Sequence, residues 1–463
     1  MYLKNYHIHL VGIGGIGMSG IASLLMDLGY RVSGSDAKAS DMTEALTRQG
    51  ATVHIGHRAD QINGADVVVV SSAIDGLNPE VVSARKAAVP VIPRAEMLAE
   101  LMRYKYGVAV AGSHGKTTTT ALVAAVLTGG GLDPTVVIGG KLDANGANAI
   151  SGKGDFMVVE ADESDGSFLR LSPAISVVTN MDREHMDFYP DMTAVQQGFL
   201  DFIDRIPFYG LAVLCMDNPA LRDLFPRIKK RMTTYGQHEQ ADLMMRDIRV
   251  GVMKSDFTVV YGKTQLGRFH LPLSGLHNAQ NALAAIAVGL ELGISVGAMK
   301  TALAHVKGVE RRMEAKGECG GICVVDDYGH HPTEIQATLA AARINWPDRR
   351  LVVVFQPHRY SRTRSLIHEF GSSFENADVL MILPIYGAGE KPLSDVSGQS
   401  VVEAVQVTGH PNVMFVETAE ACVTHLLEIV SAGDIVLTLG AGNVYQIGEL
   451  ILEKLKKCES PLP

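Results

Sequence analysis

Two glycine-rich loops, each placed between a short apolar run and a helical pattern, set the strongest limit on what this chain can fold into. The first lies in "HIHLVGIGGIGMSG", which starts at His7 and carries Gly12, Gly14 and Gly17 in G-x-G-x-x-G spacing. The second lies in "YGVAVAGSHGKTTTT", which starts at Tyr106 and carries Gly112, Gly115, Lys116 and Thr117. A strand that ends in such a loop and re-enters as a helix turns backbone amides and a helix N-terminus toward an anion. Two such units in one chain require two separate α/β sheets, each with its own phosphate cradle. The length of 463 residues leaves room for two to four hydrophobic cores.

The same grammar of strand, tight loop and helix runs on through the chain. In the first unit, "RVSGSD" and "ADVVVVSSAI" read as the second and third strands, and "AVPVIPRAEML" as a hinge. The second unit continues through "DFMVVEADESDGSF", "PAISVVTNMDREHMDF" and "YGLAVLCMDN", all buried strands, and "LMMRDIRVGVMKSDFTVVYG" alternates like antiparallel strands. "HNAQNALAAIAVGLELG" repeats its apolar residues at helical spacing. A third unit holds "GICVVDDYGHHP", "RRLVVVFQPHRYSRT", "ADVLMILPIYGAG" and "GDIVLTLGAGNVYQIGEL". The expected architecture is therefore α/β in three domains: residues 1–94 Rossmann-like, 95–312 a P-loop-type ATPase domain, and 313–463 Rossmann-like again. No repeat or low-complexity tract interrupts them.

Polar clusters sit where strands end, which is where open parallel sheets bind ligands. In "GSHGKTT" the glycines let amides close on phosphate, Lys116 reaches the terminal phosphates, and Thr117 is placed to ligate Mg²⁺. Val110 stands where the common P-loop has its first glycine, so only the Gly-Lys-Thr core is kept. Glu160 ends one strand, followed by Asp162, Glu163 and Asp165; His185 ends the next among carboxylates. Oxygen donors of that kind suit a hard cation. Asn278 and Asn281 open a helix and reach a base or ribose from one face; helix capping by Asn or His277 is the alternative. "DDYGHHP" gathers two acids with His330 and His331, and "PHRYSRT" gathers His358, Arg359 and Arg362, whose guanidinium forks suit a small carboxylate. Gly12, Gly14 and Gly17 with Asp36 downstream resemble a dinucleotide fingerprint, although the same physics holds any pyrophosphate.

Taken in order, "GIGGIGMSG", "GSHGKTTTT", "EADESDGSF", "HNAQNALAA", "DDYGHHPTE" and "PHRYSRT" resemble the Mur ligase family over essentially the whole chain. The resemblance implies a cytoplasmic, ATP-dependent ligase of peptidoglycan precursor synthesis, with UDP-N-acetylmuramate, L-alanine and ATP as its partners and Mg²⁺ as its metal. The form "GIGGIGMSG" is closest to the alanine-adding branch; joining a tripeptide to the same sugar nucleotide is the neighbouring alternative. It further implies that Gly14, Gly15, Ile16, Gly17 and Met18 line the UDP diphosphate, with Asp36, His57, Ser71 and Arg94 at uridine or sugar. ATP falls to Gly112, Ser113, His114, Gly115, Lys116, Thr117 and Thr118, with Asn278, Asn281, Arg311 and Asp327 as further nucleotide contacts. Thr117, Glu160 and His185 are the implied metal ligands, His330 and His331 face the muramoyl or phosphate region, and His358, Arg359 and Arg362 meet the amino acid. With Lys116, Glu160 and His185, those five residues make up the expected catalytic set. His358 is the candidate for taking the amine's proton.

Composition excludes other classes. A net charge of −9 carries no footprint for nucleic acid or anionic lipid. No apolar run reaches the roughly 18 residues of a membrane span. Five scattered cysteines, an odd number, point to reduced thiols, with Cys319 and Cys323 packing rather than holding a metal. A nicotinamide oxidoreductase would explain the first loop but not "GSHGKT" or the histidine–arginine clusters. A monomer or a homodimer is expected.

Overall fold

A computed structural model describes residues 5–71, 73–139, 148–186 and 188–459. Three sheets follow one another along the chain. The first is wholly parallel, in the order β3-β2-β1-β4-β5, from β1 (His7–Val11), β2 (Arg31–Asp36), β3 (Thr52–Ile55), β4 (Val67–Val70) and β5 (Val91–Pro93). It has five strands where sequence periodicity gives three. β3, "TVHI", is half-exposed, and β5 is three residues long between Pro90 and the terminal Pro93, so neither reads as a strand. The expected hinge is β5 followed by a helix, Arg94–Met102.

The central sheet has ten strands. A parallel body comprises β6 (Tyr106–Ala111), β7 (Thr135–Val137), β9 (Phe156–Glu160), β10 (Ile175–Val178), β11 (Leu211–Cys215) and β12 (Met232–Gly236), with β10 and β9 flanking β6. The two-residue β8 (Ala149–Ile150) closes one edge. At the other, β13 (Leu243–Gly251), β14 (Lys254–Tyr261) and β15 (Thr264–Leu271) form an antiparallel meander; alternation marks the first two, and β15 extends it. β6 is buried from Gly107 to Ala111, the signature of a strand covered on both faces. The third sheet runs β16-β17-β21-β18-β19-β20, from β16 (Glu314–Cys319), β17 (Ile322–Asp327), β18 (Leu351–Phe355), β19 (Val379–Ile382), β20 (Val413–Phe415) and β21 (Ile435–Leu439). Only β16 is antiparallel, in a hairpin with β17 that leaves Cys319 and Cys323 buried and outside any disulfide.

Packing divides the molecule differently from its sheets. One buried apolar cluster runs from Ile8 through Leu98 and Leu101 to Leu303, so the first two units share a continuous core. The third sheet has cores of its own, one on each face. No described helix is long and apolar enough to cross a membrane.

Candidate active site

At the first loop, every polar residue of interest follows a strand of the parallel sheet. Gly12 takes φ +80 and its amide donates to Ser35 O, turning the chain sharply out of β1. Asp36, at the end of β2, accepts the Gly14 amide at 2.9 Å. A Cβ at Gly17 would lie 2.8 Å from a terminal nitrogen of Arg94, so the guanidinium rests against the start of the helix Ile16–Asp27. Ser71 follows β4 and His57 follows β3. Met18 departs from expectation: its side chain is buried in the core and its amide bonds Gly15 O. Position 18 in a helix that starts at 16 points back over the sheet. The Ile16 side chain lies outside the described atoms.

The second loop joins β6 to the helix Lys116–Gly129. It is clamped by the end of β10. Thr179 Oγ1 donates to His114 O at 2.6 Å, the His114 amide donates to Asn180 Oδ1 at 2.8 Å, and the Asp182 amide donates to Ser113 Oγ at 2.9 Å. Lys116 Nζ curls back to Gly112 O at 2.7 Å and to Glu163 Oε1 at 2.8 Å. Burial opposes its charge, but Glu163, Asp162 and Glu184 overcome that and raise its pKa. Thr117 Oγ1 donates to Glu160 Oε1 at 3.1 Å, and Glu160 Oε2 accepts the Gly139 amide. Burial pushes the Glu160 carboxyl up.

The three expected metal ligands do not form one group. Thr117 stands with Glu160, whereas His185 gathers with Glu163 and Glu184, their donor atoms all within 4.8 Å of one another. Glu163 Oε2 is buried without a hydrogen-bond partner, and a buried carboxylate oxygen left over in this way suits a cation. His185 adopts φ +58, an uncommon conformation that turns its ring toward the two glutamates.

From the third unit, the helix Pro332–Asn345 and the loop after β18 approach this cluster. His114 Nδ1 faces Glu334 Oε1 at 3.2 Å, its Nε2 faces Asp182 Oδ2 at 3.0 Å, and Thr333 Oγ1 donates to the same Asp182 oxygen. Burial works against a charge on His114, but these carboxylates lift its pKa to about 10. His331 caps the Pro332–Asn345 helix and its ring lies 4.7 Å from that of His114. Arg362 donates to Glu184 at 2.9 Å; burial would raise that carboxyl, yet His114 and Arg362 draw it down to about 2. Burial, reinforced by Arg362, lowers His330 to about 4. Burial, His330 and the arginines lower His358 to about 3. Arg359, Arg362, Glu184 and His185 line a cavity of about 220 Å³.

A second cavity, of about 240 Å³, lies between the phosphate loop and the Pro332–Asn345 helix. Gly115, Thr118, Asn278 and Asn281 line it, and Asn281 packs so closely that a Cβ on Gly115 would come 2.8 Å from its Oδ1. The helix Leu276–Glu291 is capped by Gly275, leaving Asn281 free of a capping role. Asp327 also lines this cavity, but its carboxylate accepts from the Met313 and Gly329 amides. Arg311 does not line it. Its guanidinium lies between Tyr328 and Tyr445 and binds Asp326, Gly440 O and Gly442 O, while the next residue, Arg312, lines the cavity. Positive φ at Arg311 turns the chain there, so successive guanidinium groups leave in different directions.

Asp182 and Glu184 are marked in sequence only as the carboxylates around His185, and neither they nor Glu334 carry a role of their own there; the structure brings all three into the site. Glu334 shows in sequence as the last residue of "DDYGHHPTE" and by its place three residues after the cap His331, the spacing of a capping box.

Comparison with known proteins follows the same three units. The profile "Mur ligase family, catalytic domain" matches residues 7–106, "Mur ligase middle domain" residues 110–289, and "Mur ligase, glutamate ligase domain" residues 311–442. The UDP-N-acetylmuramate–L-alanine ligase of Desulfosudis oleivorans is 59% identical over 98% of this chain and 99% of its own length. That of Geobacter sulfurreducens is 54% identical over 99% of both. Among solved structures, UDP-N-acetylmuramate-alanine ligase from Thermotoga maritima superposes with a TM-score of 0.83 at 28% identity, covering 98% of this chain and 100% of its own. A murein peptide ligase from Psychrobacter arcticus gives 0.72 at 25% identity, covering 99% and 100%. Sequence, fold and the order of the phosphate loops agree, and this chain belongs to the Mur ligase family.

Proposed function

We propose that this chain is a cytoplasmic, ATP-dependent carbon–nitrogen ligase that joins L-alanine to UDP-N-acetylmuramate, giving UDP-N-acetylmuramoyl-L-alanine, ADP and phosphate. The observation that carries the reading is a convergence. Lys116, the Glu163–Glu184–His185 group and Arg362 meet where the phosphate loop faces the third unit. In the division of labour that follows, residues 1–94 hold the sugar nucleotide, 95–312 hold ATP, and 313–463 admit the amino acid.

A carboxylate is a poor electrophile and oxide a poor leaving group, so the acid must first be activated. The lactyl carboxylate oxygen takes the γ-phosphoryl group, the bond from that phosphorus to the β-bridging oxygen breaks, and ADP leaves. The amine of L-alanine then attacks the acyl carbon, and phosphate departs as the amide forms. Two anions must be held together for the first step, which demands cationic neutralisation and fixed proximity. Lys116 leaves Glu163 for the phosphates, and the loop amides from Gly112 to Thr118 hold the rest of the chain of phosphates. Asn278 and Asn281 contact the nucleoside. His330 and His331 stand at the reacting phosphate, and Arg359 and Arg362 take the alanine carboxylate. Mg²⁺ would be held by Thr117 with Glu160, or by Glu163 and Glu184 with His185, and would supply charge neutralisation between the two anions. At the first loop, Gly14, Gly15 and Gly17 receive the UDP diphosphate, with Asp36, His57, Ser71 and Arg94 around uridine and sugar. His358, lowered to about 3 by burial, His330 and the arginines, is too weak a base in this state to take the amine's proton.

The test is one incubation with ATP, Mg²⁺ and UDP-N-acetylmuramate, offering alanine, glycine, serine and a tripeptide in competition. Mass analysis is expected to find the alanyl product with ADP and phosphate. A tripeptide product, or release of AMP, would overturn the assignment.

A further inference from the structure

Beneath the first glycine loop runs a line of buried polar groups that the ligation chemistry does not use. His7 Nδ1 faces Gly64 O at 2.9 Å and its Nε2 faces Ser33 Oγ at 2.7 Å. Ser33 Oγ faces His9 Nδ1 at 2.8 Å, and His9 Nε2 faces Glu80 Oε2 at 2.6 Å. Ser35 Oγ donates to both Glu80 oxygens at 2.8 Å, and His57 Nδ1 faces Glu80 Oε1 at 2.8 Å. The His9 and Glu80 side chains are wholly buried, whereas that of His57 is 22% exposed. A carboxylate sealed inside a domain, with three partners arranged around it, is costly to keep without a use.

Counting protons along this line fixes its ends. A carbonyl only accepts, so His7 Nδ1 carries hydrogen, and in a neutral ring Nε2 then accepts the Ser33 hydroxyl. Burial lowers the His7 pKa, which keeps that ring neutral. Ser33 therefore accepts from His9 Nδ1, and one further hydrogen lies between His9 Nε2 and Glu80; burial pushes the Glu80 carboxyl up, but hydrogen bonds from His9, Ser35 and His57 draw it below its ordinary value. Ser35 Oγ also lies 3.0 Å from His57 Nδ1; because its hydroxyl hydrogen goes to Glu80, His57 Nδ1 carries the hydrogen that the carboxylate and the Ser35 oxygen accept. That leaves Nε2 of His57 as a lone pair.

We propose that Glu80 is a positioning residue for the sugar nucleotide: it locks His57 as the Nδ1–H tautomer, so that Nε2 accepts a hydrogen bond from the substrate's uridine. The inference rests on the reading that the first loop holds UDP. The donor is either the uracil N3–H or the ribose 2′-hydroxyl. Cytosine has no N3–H, so CDP and 2′-deoxy-UDP separate the two.

The experiment is calorimetric titration of UDP, CDP and 2′-deoxy-UDP into the wild-type protein, Glu80→Gln, His57→Ala and the double variant, with steady-state kinetics alongside. Each single variant is expected to weaken UDP about five- to tenfold, the value of one hydrogen bond. It should raise the KM for UDP-N-acetylmuramate to match, with kcat and the KM for ATP changed less than twofold. The double variant should be no weaker than either single one, because the two residues act through one contact. Additive losses, or no loss in His57→Ala, would overturn the proposal. Failure of the wild-type protein to bind UDP would instead overturn the reading of the loop. Should Glu80→Gln not fold, ¹⁵N spectra of wild-type His57 decide: the lone-pair nitrogen is expected to be Nε2 and to shift on adding UDP. An Nε2–H tautomer, or an unchanged signal, would refute it.

Discussion

Gly112→Ala tests how rigidly the ATP loop is built. Gly112 has φ +132, a region that side-chain-bearing residues rarely enter. An added Cβ would overlap the Thr179 hydroxyl and stand 3.0 Å from both the Asn180 carbonyl oxygen and the Thr179 nitrogen. The hydroxyl cannot swing away freely, because it donates to His114 O and so holds the loop itself. Forcing the backbone costs about 1–2 kcal/mol, and crowding a packed site about 1–3 kcal/mol more. The sum is about 2–5 kcal/mol, which for a unit of this size lowers Tm by roughly 4–20 °C. Gly29→Ala is the control: φ is +86, but nothing lies within 4 Å of the new Cβ, so only the conformational share applies. Differential scanning calorimetry is expected to show a drop for Gly112→Ala at least twice that of Gly29→Ala, and ATP binding should be lost only in the former. Equal shifts would refute the claim that contact with β10's end, rather than backbone conformation, dictates glycine there.

Lys116→Ala should abolish ligation while UDP affinity stays within about twofold, since the lysine reaches only the second loop and its neighbours; loss of UDP binding in a folded variant would refute the separation of sites. Arg359→Ala should raise the alanine KM with the ATP KM unchanged, and an unchanged alanine KM would remove its carboxylate role. Stability should peak near pH 6.5. His330 and His277, lowered from 6.5 to about 4 chiefly by burial, bind fewer protons when folded, so stability falls as pH drops through that window. His114, raised to about 10 by Asp182 and Glu334 against the effect of burial, binds more when folded, so its contribution is lost as pH climbs from 6.5 through about 10. His114→Gln should flatten the alkaline limb of Tm against pH and leave the acid limb; an unchanged alkaline limb would refute that source.

The three α/β units and the two loops were legible because they depend on local signals: apolar runs for strands buried on both faces, and glycines where the chain turns sharply. β3 and β5 were not, the one too exposed and the other too short between prolines to read as strands. Within the site, Lys116, His185 and Arg362 are marked by residue type, yet the carboxylates that hold them are chosen by distance in space, within the central unit for Lys116 and His185 and across units for Arg362. Glu184 meets Arg362 over a separation of 178 residues, and Glu334 meets His114 over 220. No window of sequence contains such a pair. Met18 and Arg311 show the converse failure, in which a motif position is right beside a site while its side chain turns elsewhere.

At each of the three points proposed to receive an anion, an acid is already engaged. Asp36 holds the Gly14 amide, Glu163 holds Lys116, and Glu184 holds Arg362. Ligand uptake is then an exchange of one anion for another rather than the filling of a bare positive field. Long-range attraction is largely cancelled before the substrate arrives, in keeping with a chain of net charge −9. Association rates should accordingly depend only weakly on ionic strength, and discrimination should come from which anion fits the cradle better at close range.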